Sequence, residues 1–312
     1  LAQQNSGLSV ASAFTRHASD LRLTRAPCVK AIDKKWHIWG EGGVDGASQR
    51  GNHQNVGFHA TTALGTGGVD YRISQQFYLG VMGAYTGTDI KSHGYLAKGR
   101  ANTYYGGVYS CWLSPGLFAN ASLIGDWSDY HTKRKVQFGS IDRKPRGHHR
   151  GSGGIAHLDF GLSLPKARRA QYYPYGQLDY LYQHEKGYTE TSAQSLNNKI
   201  GARTSTMLRS EVGVQGRLCY AIGKEMESLI PSAKLAWVRE TRFKGKKIDA
   251  RLVDVPNSYT VVGLYPDRSM LRVGASLTMV FGEAVHLSLN YDGLFSHKYK
   301  FNAGSGAMEV QF

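Results

Sequence analysis

Cysteine, histidine and serine are the side chains most able to do chemistry, and in this chain none of them falls into a catalytic or metal-binding pattern. Cys28, Cys111 and Cys219 lie far apart with no C-x-x-C spacing, which points to packing residues and neither to a zinc site nor to a disulfide framework. His148 and His149 are adjacent, but no third ligand stands at a characteristic spacing, so no metal is assigned. Gly151-Ser152-Gly153 and Gly304-Ser305-Gly306 lack the G-x-S-x-G form and the strand-turn-helix setting of a nucleophile elbow. With no paired carboxylates and no Ser-His-Asp order, the expectation is a protein without catalytic residues or cofactors. What remains is charge. Lys133, Arg134, Lys135, Arg143, Lys144, Arg146 and Arg150 surround the two histidines; as a soluble surface they would be a phosphate-contacting patch for nucleic acid, but a solvated loop is the foremost reading.

Composition narrows the elements that must carry these residues. A chain of 312 residues fits two ordinary domains or one large β-domain. A hydrophobic content of 41% with mean hydropathy −0.38, and charges spread throughout, excludes a bundle of membrane helices. A net charge of +15 with 38 Gly and 19 Tyr but only 8 Pro fits neither collagen nor a Pro-rich disordered chain. The uncharged run Ala101–Gly125 is long enough for a membrane helix, yet Ser114-Pro115-Gly116 breaks it in the middle, so it reads as two strands around a turn. Each half approaches the roughly 9–11 residues that a tilted strand needs to cross a bilayer.

The rest of the chain alternates. Ala156, Leu158, Phe160, Leu162 and Leu164 share one parity, as do Leu208, Val212, Val214, Leu218 and Tyr220, with Arg209, Glu211, Gln215 and Arg217 on the opposite face. Leu271, Val273, Ala275, Leu277, Met279 and Phe281 lead through Gly282-Glu283 into Val285, Leu287, Leu289 and Tyr291, a hairpin. Alternation alone fits a sandwich as well as a membrane barrel, but the segments exceed the usual soluble strand of about 5–6 residues. Aromatics also gather near segment ends, as in Trp36 and Trp39 or Tyr172 and Tyr173, like the girdles of a membrane barrel. Twelve strands are expected near 36–45, 56–71, 77–89, 101–112, 117–130, 154–164, 172–185, 203–221, 231–243, 269–281, 284–295 and 299–312. Short and long connections then mostly alternate, the long ones near 46–55, 90–100, 131–153, 186–202 and 244–268, as in an outer-membrane barrel. The strand-like stretch 258–263 inside the last long loop could raise the count.

Before the first strand the period changes to that of a helix over Ser6–Ala26, with Ser6 as its cap and Pro27 as its stop. About 20 residues span roughly 30 Å, the thickness of the hydrocarbon core. Carrying Phe14, Arg16, Asp20, Arg22 and Arg25, this helix is too polar for lipid. Parity aims Glu41, Asp45, Asp159, Asp179, Glu211, Glu240 and Asp292 into the barrel, where helix arginines can pair with them, and Arg22 and Arg25 suit the helix C-terminus. The helix fits as a plug in the lumen; a surface helix or linker is the alternative.

Several stretches, in order and spacing, resemble one family. They are Trp36-His37-Ile38-Trp39-Gly40-Glu41-Gly42-Gly43, Gly67-Gly68-Val69-Asp70-Tyr71, Leu79-Gly80-Val81-Met82-Gly83-Ala84-Tyr85, Pro174 to Tyr180, Leu208 to Gly213, Pro231 to Glu240 and the terminal Phe312. The chain resembles the autotransporter β-domain, the C-terminal translocator of type V secretion in Gram-negative bacteria, over roughly residues 8 to 312. The resemblance implies an all-β, twelve-stranded antiparallel transmembrane barrel with an N-terminal α-helix in the lumen, residues 1–35 being linker and pore-spanning helix and 36–312 the barrel. It implies an integral outer-membrane protein that exports and anchors an N-terminal passenger, acts as a monomer, binds no nucleic acid and is assembled by machinery that reads Phe312. Outer-membrane lipids and lipopolysaccharide would surround it, so the basic cluster gains lipopolysaccharide phosphates as possible partners. Lys166, Arg168 and Arg169 fall in an expected periplasmic turn, as solubilising residues. Asn5 is followed by Ser6, so the Asn-Asn junction of self-cleaving members is not identified; Gln3-Gln4-Asn5 is only a candidate exit point for a passenger. Leu1–Gly7 shows no secretory signal, which leads to the expectation that the sequence is a fragment of a longer precursor. A free-standing porin or adhesin barrel is the second reading.

Overall fold

The computed structural model describes residues 2–25, 29, 34–51, 55–95, 97–165, 169–223, 226–244, 247–264, 267–282 and 284–312. Twelve long antiparallel strands close into one barrel. They are β1 (Trp36–Gln49), β2 (Phe58–Arg72), β3 (Phe77–Ser92), β4 (Ala97–Leu113), β5 (Leu117–Arg134), β6 (Arg146–Leu162), β7 (Ala170–Glu185), β8 (Arg203–Leu218), β9 (Met226–Lys244), β10 (Ser269–Phe281), β11 (Val285–Phe295) and β12 (Tyr299–Gln311). Each pairs with its chain neighbours, and β1 pairs with β12 to close the cylinder. At that seam Trp36 and Phe312 exchange backbone hydrogen bonds of 3.0 Å in both directions. Closure leaves no edge, which a sheet in lipid requires because no water is present to satisfy free backbone groups.

The alternation resolves in the membrane sense. Val81, Val108, Leu123, Leu158, Leu235, Leu271 and Leu289 face outward and exposed, while Glu41, Asp45, Asp70, Asp159, Asp179, Glu211, Arg272 and Asp292 are buried inside. A soluble sandwich would invert this. One rim carries short turns, such as Ser114–Gly116, where Ser114 N–H donates to Leu117 O at 2.8 Å, and the turn at Gly282, whose φ of 55° suits a residue without Cβ.

The other rim departs from the expected loops in an instructive way. Strands β3 to β6 run on past the membrane, so among the described residues of 90–100 only the short turn His93–Tyr95 lies outside the strands. Likewise 131–153 is mostly strand: β5 continues to Arg134, β6 resumes at Arg146, and a small hairpin of Val136–Phe138 and Ile141–Arg143 lies between. Lys133, Arg134, Arg146, His148, His149 and Arg150 are therefore strand residues, which corrects the solvated-loop reading for them. Lys and Gly have low β-propensity, so the composition there suggests loop, yet the ladder from below carries these residues. The stretch Tyr259–Val262 is a strand, but it joins Lys247–Leu252, Asn198–Ile200 and Tyr188–Thr189 in a separate four-stranded sheet over this rim, leaving the barrel count at twelve. Arg134 ties this sheet down through a two-armed contact to Glu190 (2.7 and 2.9 Å) and a bond to Leu196 O at 2.6 Å. Within the sheet, burial pushes the Tyr188 phenol above its ordinary pKa, and its ring stacks on His149 at 4.3 Å.

The helix α1 covers Ala2–Leu21 and is followed by a 3-10 turn, Arg22–Arg25. It begins before the expected cap, so Ser6 lies inside it and instead meets Tyr105 Oη at 3.1 Å. Pro27, the expected stop, lies outside the described residues. Cys111 is free and buried, but Cys219 is disulfide-bonded, so the packing reading fails there: distance along a chain says little about distance across a closed barrel. Cys28, Lys166 and Arg168 lie outside the described residues.

Candidate functional site

The inward faces of twelve strands meet α1 along the lumen, and four groups of contacts fix it. Nearest the long-loop rim, Arg242 donates to Gln4 Oε1 at 2.5 Å, and Ser9 Oγ donates to Asp45 Oδ2 at 2.8 Å. Small residues let the helix approach this closely: a Cβ on Gly7 would stand 2.8 Å from Ile155 Cδ1.

At mid-height Arg16 grips Glu41 with two arms, Nε at 3.0 Å and Nη2 at 2.5 Å, and reaches Asp292 with Nη1 at 3.1 Å. Arg272 donates to Asp292 (2.9 and 3.1 Å), to Glu211 (2.9 Å) and to Ser12 Oγ on the helix (3.0 Å). Lys234 stands 3.1 Å from Asp292, and Tyr175 Oη donates to Glu211 at 2.6 Å. Arg16, Arg272 and Lys234 thus face Glu41, Asp292 and Glu211, three cations against three carboxylates. Such balance is what makes charge tolerable away from water.

On the adjoining face of the helix, against β12, β1 and β2, His17 Nε2 donates to Asp70 Oδ2 at 2.7 Å and Nδ1 lies 3.3 Å from Glu309. Its ring stacks on Trp39 at 4.6 Å. Trp39 Nε1 donates to Tyr109 Oη at 2.7 Å, which donates in turn to Asp70 at 2.8 Å. Phe14 is fully buried, 5.0 Å from the Tyr109 ring and edge-on to His157 at 5.5 Å. His157 donates to Asp179 at 2.6 Å. Toward the short-turn rim Arg217 donates to Ser19 O at 2.9 Å and to Ser19 Oγ.

The residues singled out in the sequence sort unevenly. Glu41 and Asp292 meet a helix arginine and Asp45 meets a helix serine, but Asp159 accepts from Asn120 (2.6 Å) and Glu240 holds Arg209 (2.6 Å) and Arg242 (2.7 Å). Asp179 and Glu211 likewise have partners on the wall. The wall supplies its own cations, so fewer carboxylates are left for the helix. Asp20 lines a gap with Glu41, His286 and Glu309 and makes no ion pair with the wall among the described residues. Arg22 corrects the expected pairing: α1 ends at Leu21, and the guanidinium lies 3.9 Å over the Phe118 ring and 5.5 Å from that of Tyr173, a cation–π contact. The Arg25 side chain lies outside the described residues. His17, Asp70, Glu309, Arg272, Lys234 and Arg217 were not singled out as site residues. Parity held the signal for the wall members: Arg272 sits between outward Leu271 and Val273.

The family described as "Autotransporter beta-domain" matches residues 38–292. The chain belongs to the autotransporter β-domain family. No curated protein matches it at sequence level. Among solved structures it is similar to the translocator domain of autotransporter NalP from Neisseria meningitidis, with TM-score 0.72 and 12% identity over 99% of this chain and 98% of that one. The β-domain of the Bordetella autotransporter BrkA gives TM-score 0.68 and 15% identity over 89% and 100%. The transport unit of AIDA-I from Escherichia coli gives 0.58 and 15% over 95% and 97%. At these identities the likeness shows the fold, and the family match carries the function. As an autotransporter β-domain the protein is an integral outer-membrane translocator barrel of a Gram-negative bacterium, serving a linked N-terminal passenger. Its long-loop rim is extracellular and its short-turn rim periplasmic. The family is one of translocators and not of enzymes.

Proposed function

We propose that the barrel exports its passenger through the lumen and that α1 then stays behind as plug and tether, residues 1–35 forming the linker and pore helix and 36–312 the translocator barrel. The observation that carries this reading is the two-armed Arg16–Glu41 contact with its third arm on Asp292, which fixes the middle of the helix to strands β1 and β11. Beside the helix lie two gaps of about 40 Å³ each, one between Arg16, Glu41 and Asp292 and one between Arg16, Gln215 and Lys234, room for a few waters each. Phe14, Arg16 and the lumen carboxylates would then act by holding the helix, and no catalytic step is assigned to them. A porin would need an open lumen, so the porin reading is disfavoured.

Phe312 exposes its ring on the outer wall at the periplasmic rim while its backbone joins β1; this supports its being read by the assembly machinery before the seam closes. Outer-membrane lipids and lipopolysaccharide are the proposed neighbours of the exposed apolar wall, and one barrel working as a monomer satisfies every strand edge.

Deleting Gly7 to Arg25 tests the plug. Single-channel conductance in planar bilayers should rise in steps absent from the intact chain; equal conductance of the two proteins would refute it.

A further inference from the structure

The outer wall of β3 to β6, above the membrane, holds a pattern that neither translocation nor the plug requires. Lys91 is paired in register with Lys98, Lys98 with Lys133, and Lys133 with Arg146. Four cations therefore lie in one row across four adjacent strands, all facing outward and exposed. At about 4.8 Å between strands the row spans roughly 14 Å. Like charges directly opposite each other weaken a sheet, and this row itself contains no acid. The rows beneath add Arg100 and Arg150, whose acids are few: Asp89 stands 3.9 Å from Arg100, and Asp129 accepts from His148 at 2.6 Å. His131, His148 and Asp129 could in isolation hold a metal ion, but a dication would sit amid this positive field, whereas an anion relieves it.

Directly below, on the same strands, the wall turns apolar. Tyr85, Tyr104 and Trp127 lie in register with ring centroids 5.2 and 6.2 Å apart, and Arg150 stands 5.7 Å over the Trp127 ring. Val81, Val108 and Leu123 continue downward, all exposed. From Lys133 to Trp127 is roughly 20 Å along the strand.

We propose that this face is a binding site for a phosphorylated lipid of the outer leaflet bearing more than one phosphate, its phosphates on the Lys91–Lys98–Lys133–Arg146 row and its acyl chains on the aromatic shelf and the apolar wall beneath. Charge above and grease below on one continuous strip select an amphiphile over a free polyphosphate or a nucleic acid, which would use the row alone. The inference deepens the lipid partnership proposed above and is independent of the plug.

The test compares the intact barrel with K91Q/K98Q/K133Q/R146Q, all purified from outer membranes in mild detergent, with K199Q/K247Q/R251Q in the extracellular sheet as a charge control. Native mass spectrometry should find phosphorylated lipid retained on the intact barrel and on the control, and at least tenfold less on the quadruple variant. Enzymatically dephosphorylated lipid should rebind the intact barrel at least tenfold more weakly. In lipid-free detergent the quadruple variant should melt no lower than the intact chain, since repulsion has been removed, so its loss of lipid cannot be ascribed to misfolding. Equal retention by the quadruple variant, equal rebinding of dephosphorylated lipid, or displacement of the lipid by a DNA oligonucleotide at equal phosphate would each overturn the proposal. Passenger display, measured on the same cells, reports on the translocator separately.

Discussion

Replacing Arg16 with Met should release the helix, and the structure sets the size of the effect. The Glu41 side chain is 1% exposed and Arg16 17%, so the pair sits largely away from water. Among the described residues Arg16 is the cation within ion-pair distance of Glu41, whereas Asp292 keeps Arg272 and Lys234 when Arg16 is gone. Removing one partner of a buried pair costs about 3–5 kcal/mol because the other charge stays behind unpaired. At about 1.4 kcal/mol per factor of ten, the undocked population should rise between roughly a hundredfold and a few thousandfold. Planar-bilayer recordings would read this as more frequent open bursts. Removing both charges leaves no stranded carboxylate, so R16M/E41Q should return most of the way to the intact chain, and the coupling should exceed about 2 kcal/mol. The reasoning fails if R16M bursts within threefold of the intact chain, or if the double variant lies no closer to it than R16M does.

Three further outcomes are expected. Phe14→Ala opens a cavity between α1, Tyr109 and His157 and should cost about 3–5 kcal/mol of helix docking, seen as open bursts in the same recordings; unchanged bursts would place the packing elsewhere. Gly80 admits the Tyr109 ring, since a Cβ there would meet Tyr109 Cζ at 2.4 Å and Asp70 Cβ at 2.7 Å; Gly80→Ala should therefore lower barrel stability by about 1–3 kcal/mol, and an unshifted heat-modifiable gel transition would contradict this. Arg134→Ala frees Glu190 and the Leu196 carbonyl, so protease should cut within 186–202 about tenfold faster while the barrel transition stays put; equal cutting would show that the extracellular sheet is held by other contacts.

The barrel was legible in the sequence because a membrane strand has two incompatible solvents on its two faces, and parity records both. Leu271 and Val273 name the lipid side, and Arg272 between them then has nowhere to point but inward. Strand ends were less legible. Beyond the bilayer both faces are wet, the alternation fades, and Lys133 and His148 look like loop although register with β4 and β6 holds Lys133 in the ladder and register with β5 holds His148. The partners inside the lumen were least legible. Parity gives the face of a residue but not its height or its angle around the cylinder, so it could not tell that Arg16 meets Glu41 while Arg22 lies on Phe118.

The division of bulk between helix and wall bears on how such a lumen can serve two occupants. The wall contributes many large side chains, Trp39, Tyr105, Tyr109, Tyr173 and Tyr175, while half of the buried positions of α1 are small: Ser6, Gly7, Ser9, Ala11, Ala13, Ala18 and Ser19. An apolar helix with bulky side chains would bury more area, and it would hold by dispersion at every position, with no step at which it is free. Holding a thin helix through a few oriented contacts at Ser9, Arg16, His17 and Ser19 concentrates the attraction at named heights. On the proposed route through the lumen, a passing chain would meet between those heights a wall of mixed polar and aromatic side chains. The same geometry makes the docked helix depend on register: sliding it by one turn, about 5.4 Å, carries Arg16 away from Glu41 and His17 from Asp70 together, so docking should be all-or-none rather than graded.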